Sequence, residues 1–270
     1  MIADQRALLF DMTLCWGCRN CVDACMTTQG FEGDPEEVTE LSANAYTAMT
    51  EQDGFPLRDM CRHCVTPSCA SVCPVGALHK TDLGPVVYDA DKCMGCRYCM
   101  VACPFDIPRY EWDEPVPAVR KCDMCIARIE AGELPACADA CPAEATVAGT
   151  RAELLELAHQ RIADSPRDYY DHVYGEYELG GTSVLFLAPE PFPALGFDAA
   201  LGNDALPQLT GRVLAKIPAF AVTGCVALAA FAWIVRRRDE MAALRANGHE
   251  AAALEGGNRP HSKHPKHSNE

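Results

Sequence analysis

Residues 14–26 read LCWGCRNCVDACM, which places Cys15, Cys18, Cys21 and Cys25 within one short stretch. The same C-x2-C-x2-C-x3-C spacing returns at Cys93, Cys96, Cys99 and Cys103. Two looser groups keep the opening C-x2-C and the closing C-x3-C: Cys61, Cys64, Cys69 and Cys73, and Cys122, Cys125, Cys137 and Cys141. Of the 17 cysteines, only Cys225 stands outside these four groups.

The spacing has a physical reading. Three thiolates two residues apart can wrap one corner of an iron–sulfur cubane if the backbone turns tightly around it. Gly17 and Gly95, each just before the second cysteine, suit such a turn because glycine tolerates positive φ. A fourth cysteine three residues further on points away, and in two-cluster ferredoxins it ligates the neighbouring cluster. Proline follows it in Cys73-Pro74, Cys103-Pro104 and Cys141-Pro142, fixing φ and withholding a backbone donor, which steers the chain out of the site. Cys25 is followed by Met26 and a long insert (residues 26–60), so a different exit path is expected there. Zinc modules separate C-x2-C pairs by a dozen or more residues, so three cysteines at double x2 spacing fit zinc poorly. With all four cysteines present in every group, four [4Fe–4S] clusters are expected.

Composition excludes other classes. The 270 residues carry 38 acidic against 23 basic side chains, a net charge of -15, which argues against a nucleic-acid backbone as partner. A chain of this length can bury an ordinary core and has no need of disulfide staples. The opening MIADQRALLFD has neither a basic start followed by a long apolar run nor a twin arginine. No paired-carboxylate, nucleophile–base or phosphate-loop motif is present, so no catalytic residues are assigned.

An internal repeat organises the groups. LLFD (residues 8–11) precedes Cys15 and VVYD (86–89) precedes Cys93 with equal Asp-to-Cys spacing, each reading as a short strand feeding a cluster loop. A second echo follows the other two groups, Cys73-Pro74-Val75-Gly76-Ala77 and Cys141-Pro142-Ala143-Glu144-Ala145. Each module should therefore combine one group of each type. Spacing leaves two pairings open, sequential (one with two, three with four) or nested (two with three, one with four).

GCRYCMVACPFDIPRYEWD (95–113), KCDMC (121–125) and LPACADACPAEATVAGTRAELL (134–155) resemble the iron–sulfur subunits of membrane-bound respiratory oxidoreductases. That family includes the formate dehydrogenase β-subunit and the ferredoxin-like, HybA-type subunit of uptake [NiFe] hydrogenases. ALLFDMTLCWGC (7–18) and YGEYELGGTSVLFLAPEPFPALGF (174–197) resemble the HybA type most.

The resemblance implies an α+β fold of two ferredoxin-like bis-[4Fe–4S] modules within residues 1–150, with 55–110 nested inside 7–50 and 115–150. It implies nested ligand sets: Cys15, Cys18, Cys21 and Cys141; Cys25, Cys122, Cys125 and Cys137; Cys61, Cys64, Cys69 and Cys103; and Cys73, Cys93, Cys96 and Cys99. By the same resemblance the chain is an electron relay between a catalytic subunit and an integral membrane quinone-reactive subunit. The expected catalytic partner is a [NiFe] hydrogenase heterodimer oxidising hydrogen. The alternatives are a molybdopterin enzyme of the formate dehydrogenase kind, or a membrane-anchored metal-binding or assembly protein with no redox path. HybA-type proteins commonly begin with a twin-arginine signal. Its absence here points to export beside a signal-bearing partner, to retention inside, or to a start further upstream.

In the extension (151–210), residues 150–162, TRAELLELAHQRI, read as a helix with a Thr150/Glu153 capping box and an apolar stripe of Leu154, Leu155, Ala158 and Ile162. Asp164-Ser165-Pro166 ends it. Residues 182–188, TSVLFLA, read as a strand after a Gly180-Gly181 turn. Residues 217–235 carry no charge and as a helix span roughly 28 Å at about 1.5 Å per residue, close to the hydrocarbon thickness of a bilayer. Within this stretch Cys225 is a packing residue, and Gly224 marks close contact with a partner span. Arg236, Arg237, Arg238 and Arg245 follow it, against Arg212 and Lys216 before it, which places the C-terminus in the cytoplasm and the cluster domain in the periplasm. The tail from Ala246 to Glu270 reads as disordered, and His261, His264 and His267 as solvated. His63, between two cysteines, is left to tune or shield a cluster or to face solvent. Tyr98, Phe105 and Trp112 are placed either between redox centres or as packing around the clusters.

Overall fold

The computed structural model describes residues 2–256. In chain order the elements begin with β1 (Arg6–Asp11), α1 (Asn20–Gln29), β2 (Thr47–Gln52), β3 (Phe55–Met60), α2 (Ser68–Ser71), β4 (Leu78–Lys80), β5 (Val86–Tyr88) and α3 (Tyr98–Ala102). They continue with β6 (Arg109–Tyr110), β7 (Val119–Arg120), α4 (Ile126–Glu130), α5 (Ala136–Asp139), β8 (Thr146–Thr150), α6 (Arg151–Asp164), β9 (Val184–Leu187), α7 (Leu206–Leu214) and α8 (Ile217–Gly256). The chain divides into two units, one ending at Gly211 and the other beginning at Arg212.

The pairing of β1 organises the first unit. It is the central strand of a β8-β1-β9 sheet, antiparallel to β8 (Arg6↔Thr150 through Phe10↔Thr146) and parallel to β9 (Leu8↔Val184 through Asp11↔Leu187). Side chains alternate across a strand, so Leu8 and Phe10 enter one core with Met12, Val22, Val184 and Phe186. Ala7 and Leu9 enter a second core with Leu154, Ala158, Ile162, Leu185 and Leu187. Three of the four stripe residues of α6 are thus buried there, while Leu155 packs at its margin. The capping box forms in both directions, Glu153 N–H to Thr150 Oγ1 at 3.3 Å and Thr150 N–H to Glu153 Oε2 at 2.9 Å. The strand expected at 182–188 is β9, trimmed to four residues, and it makes the extension part of the same sheet as the first cysteine loop.

The two echoes seen in the sequence pair with each other. β4 follows Cys73-Pro74 and lies antiparallel to β5, which leads into Cys93. β8 follows Cys141-Pro142 and lies antiparallel to β1, which leads into Cys15. The equivalence extends to single bonds: Asp89 N–H donates to Ala77 O and Asp11 N–H to Ala145 O, both at 2.8 Å. Each aspartate then accepts from the residue two ahead, Thr13 N–H at 3.0 Å and Asp91 N–H at 3.1 Å, turning the chain towards the cysteines. The β4–β5 pair lies inside the stretch that the β1–β8 pair closes.

Met26 has a visible consequence. Pro104 disfavours helix at the residue before it, and α3 ends at Ala102 with Cys103 already extended (φ -78, ψ 114). With no proline after Cys25, α1 runs on to Gln29 and ends at Gly30 in the left-handed region (φ 71). The insert then forms the β2–β3 hairpin, closed by Asp53 and Gly54 at φ 51 and 84, as a two-residue turn of this kind requires.

In the second unit, α8 begins at Ile217 as expected. It continues past Val235 through Gly256, so residues 246–256, expected to be disordered, are helical. An apolar 18-residue window within Leu206–Arg245 has mean hydropathy 2.0, and none of it is buried within the chain. Among the described residues this is the one helix long and apolar enough to cross a bilayer, and it is consistent with a membrane anchor. The tail histidines lie outside the described residues.

Candidate functional site

All four cysteine loops share one backbone device. The residue before the second cysteine has positive φ in each: Gly17 (79), His63 (46), Gly95 (72) and Met124 (58). In the two tight groups the next arginine, Arg19 or Arg97, is also left-handed and starts the helix that carries the third cysteine. Three residues after the Cys-Pro cysteines the chain turns again through positive φ, at Gly76, Asp106 and Glu144. These turns bring backbone N–H groups to sulfur, with Gly95 N–H to Cys93 at 3.4 Å, Met124 N–H to Cys122 at 3.3 Å and Thr146 N–H to Cys141 at 3.4 Å.

The fold gathers thiols from distant groups. Cys15, Cys18, Cys21 and Cys141 line one cavity together with Phe10, Trp16 and Thr146. Cys73, Cys93, Cys96 and Cys99 line another with Leu78, Tyr88 and Val119. Burial pushes the Cys25 and Cys122 thiols well above the ordinary range, and each is raised further by Cys137. Cys125 is also raised by burial and by Cys137. Burial likewise raises Cys64, reinforced by Cys61, Cys103 and Cys69, and pushes Cys69 up to about 12 with help from Cys61 and Cys103. Neighbouring sets also feel one another, through Cys21 and Cys137, Cys122 and Cys61, and Cys69 and Cys99. Cys73 differs: burial acts upward on it, yet N–H groups of Leu78, Val75, Ala77 and Gly76 bring its thiol below the ordinary value.

Thiols that repel one another's ionisation in a desolvated site need a positive centre to become ligands. Among the described residues no three His, Cys, Asp or Glu side chains form a group suited to a single metal ion. The donor chemistry instead fits iron–sulfur cofactors. An orphaned donor agrees with that fit. His63 is fully buried, and burial with the nearby Lys121 and Lys80 holds its imidazole neutral. Val86 N–H donates to its Nδ1 at 2.9 Å, so the ring proton sits on Nε2, which finds no protein acceptor. A sulfur acceptor of a bound cluster would satisfy it. The reading of His63 as solvent-facing is thereby removed.

Sequence reasoning missed the buried cations. Arg58 and Arg62 are almost fully enclosed, as is Lys121. Arg62 pairs with Asp59 at 3.3 Å and stacks 4.3 Å over the Phe186 ring. Lys121 donates to the carbonyls of Val86 and Cys122, and Lys80 to those of His63 and Cys64. Burial pulls the Lys80 ammonium down to about 8. An acidic protein thus keeps positive charge in its interior, around the thiols. One signal was available: alternation on β3 puts Arg58 on the buried side with Met60. Tyr98 and Trp112 are largely exposed, and Arg97 lies 5.1 Å from the Trp112 ring.

Residues 53–151 match the 4Fe-4S dicluster domain family, a stretch that includes the second, third and fourth cysteine groups and leaves the first outside. A protein of Nitratidesulfovibrio vulgaris (strain Hildenborough) is 36% identical over 256 residues, covering 89% of this chain and 69% of its own. The hydrogenase-2 operon protein HybA of Escherichia coli O157:H7 is 38% identical over 239 residues, covering 72% and 73%. The iron-sulfur subunit of the nitrate-inducible formate dehydrogenase of Escherichia coli K12 is 36% identical over 199 residues, covering 67% of each.

Proposed function

This chain belongs to the family of iron–sulfur electron-transfer subunits of hydrogenase- and formate-dehydrogenase-type respiratory complexes, and from that premise we propose that it is a four-cluster relay. In this reading the chain is not itself a catalyst. It passes electrons between a catalytic subunit and an integral membrane subunit that reacts with quinone. The four nested cysteine sets each hold one [4Fe–4S] cluster, which when bound takes up and returns one electron at a time.

The observation that carries the reading is the nested strand pairing. It supports pairing Cys141 with Cys15 and Cys73 with Cys93, which share cavities, and it favours two ferredoxin-like modules, one inside the other. The thiols of neighbouring sets that influence one another favour a linear order from the first set to the fourth. Exposure supports two outlets: Cys18 and Cys96 are exposed, as are Trp16, Met94, Tyr98 and Val101 beside them. Cys61, Cys122, Cys125 and Cys137, in the middle sets, are buried.

Residues 217–235 anchor the chain in the bilayer, with the cluster unit periplasmic and the C-terminus cytoplasmic, as the following arginines favour. The catalytic partner in this reading is a [NiFe] hydrogenase heterodimer, supported by the likeness to HybA over 73% of that protein. A molybdopterin partner is the second reading, supported by the formate dehydrogenase relative. Anaerobic purification of the tagged chain from native membranes, with metals measured in what accompanies it, decides between them. Nickel is expected with the chain. Molybdenum or tungsten would transfer the relay to a formate-dehydrogenase-like complex.

A further inference from the structure

Arg58 is 1% exposed and lies on the inward face of β3. Its Nε donates to Thr47 Oγ1 at 2.9 Å and its Nη1 to Thr146 Oγ1 at 3.0 Å, both neutral acceptors. Thr146 in turn lines the cavity of Cys15, Cys18, Cys21 and Cys141, and its N–H reaches Cys141 Sγ at 3.4 Å. Burial alone would pull its pKa down. Cys137 first, then Cys21 and Cys122, are the groups that act against that burial and keep the guanidinium charged. These cysteines come from the first and second sets, so one cation serves both. The other buried cations are placed differently: Arg62 has a carboxylate and aromatic faces, and Lys80 and Lys121 have backbone carbonyls.

We propose that Arg58 is the resident counter-charge of the first two cysteine sets, raising the reduction potentials of the clusters they hold and making the folded chain depend on their loading. The proposal rests on the ligand sets given above. Its two halves follow from one charge. Reduction adds negative charge next to a fixed guanidinium, so the cation favours the reduced state, the more so at low local dielectric. Without clusters that negative charge is gone, and the guanidinium, bonded to the neutral hydroxyls of Thr47 and Thr146, is a buried charge without a counter-ion, which destabilises the fold.

The test uses full-length protein purified anaerobically, as wild type, Arg58→Met and Arg58→Lys. EPR-monitored redox titration reads the potentials, and melting after cluster removal reads the apo chain. Arg58→Met is expected to lower the midpoints of the two signals that Cys15→Ser and Cys122→Ser abolish, by about tenfold in equilibrium constant, or 59 mV for one electron. Arg58→Lys, which keeps the charge, is expected to restore most of that shift. After cluster removal, Arg58→Met is expected to melt above wild type, an outcome that a purely packing role would reverse. Full iron and sulfide with all four midpoints unmoved would overturn the proposal, as would an Arg58→Met apo chain that melts below wild type. If Arg58→Met loads no clusters, Arg58→Lys must load and titrate close to wild type. Failure of both variants to load would end the counter-charge role. Wild-type protein lacking sulfide would instead sink the cluster reading on which the proposal stands.

Discussion

Replacing Cys141 by serine is expected to remove the same EPR signal that Cys15→Ser removes, although 125 residues separate the two positions. Iron is expected to fall from about sixteen to about twelve per chain, the content of one [4Fe–4S] cluster. The expectation comes from the β1–β8 ladder, which sets Phe10 against Thr146 and closes one cavity with Cys15, Cys18, Cys21 and Cys141. Cys25→Ser, much nearer to Cys15 in sequence, should give a different signature, shared with Cys122→Ser. Sequential pairing would make Cys15 and Cys73 partners. Should Cys141→Ser share its EPR signature with Cys93→Ser, the nested assignment is lost.

The second large effect is on stability. Asp11 is fully buried and accepts from Arg161 Nη1 at 2.7 Å and Tyr169 OH at 2.9 Å, while also holding Thr13 N–H. Removing one partner of a buried pair leaves the other charge uncompensated and typically costs 3–5 kcal/mol. Arg161 keeps 18% side-chain exposure, which puts Asp11→Ala at the lower end, about 3 kcal/mol. For a unit of this size that corresponds to a drop in Tm of roughly 6–12 °C. Asp89 occupies the equivalent position in the repeat, but its partner Lys92 is 56% exposed, so Asp89→Ala should shift the melting temperature far less. Equal shifts for the two variants would contradict the role given to burial. Both melts are to be run on cluster-loaded, anaerobic protein.

Much of this was legible in the sequence, for physical reasons that differ by element. Cysteine spacing reports local wrapping of the backbone, so the four groups and the glycines at 17 and 95 were readable from short stretches. The capping box and the uncharged stretch are likewise local patterns. Which group meets which depends on strand pairing across 140 residues, and spacing carries no record of that. Only the paired echoes, LLFD with VVYD and Ala77 with Ala145, narrowed it to two choices. Arg58 was invisible because an arginine in LRDMCRHC reads as surface, and burial became apparent only once β3 fixed which face turned inward. The β2–β3 hairpin was signalled by Asp53-Gly54 inside an insert read only as a detour.

The four-cluster claim is tested most directly by counting iron and acid-labile sulfide in chain purified anaerobically from membranes. About sixteen of each per chain are expected. Zinc without sulfide would contradict the relay entirely, and about eight of each would leave only a single two-cluster module.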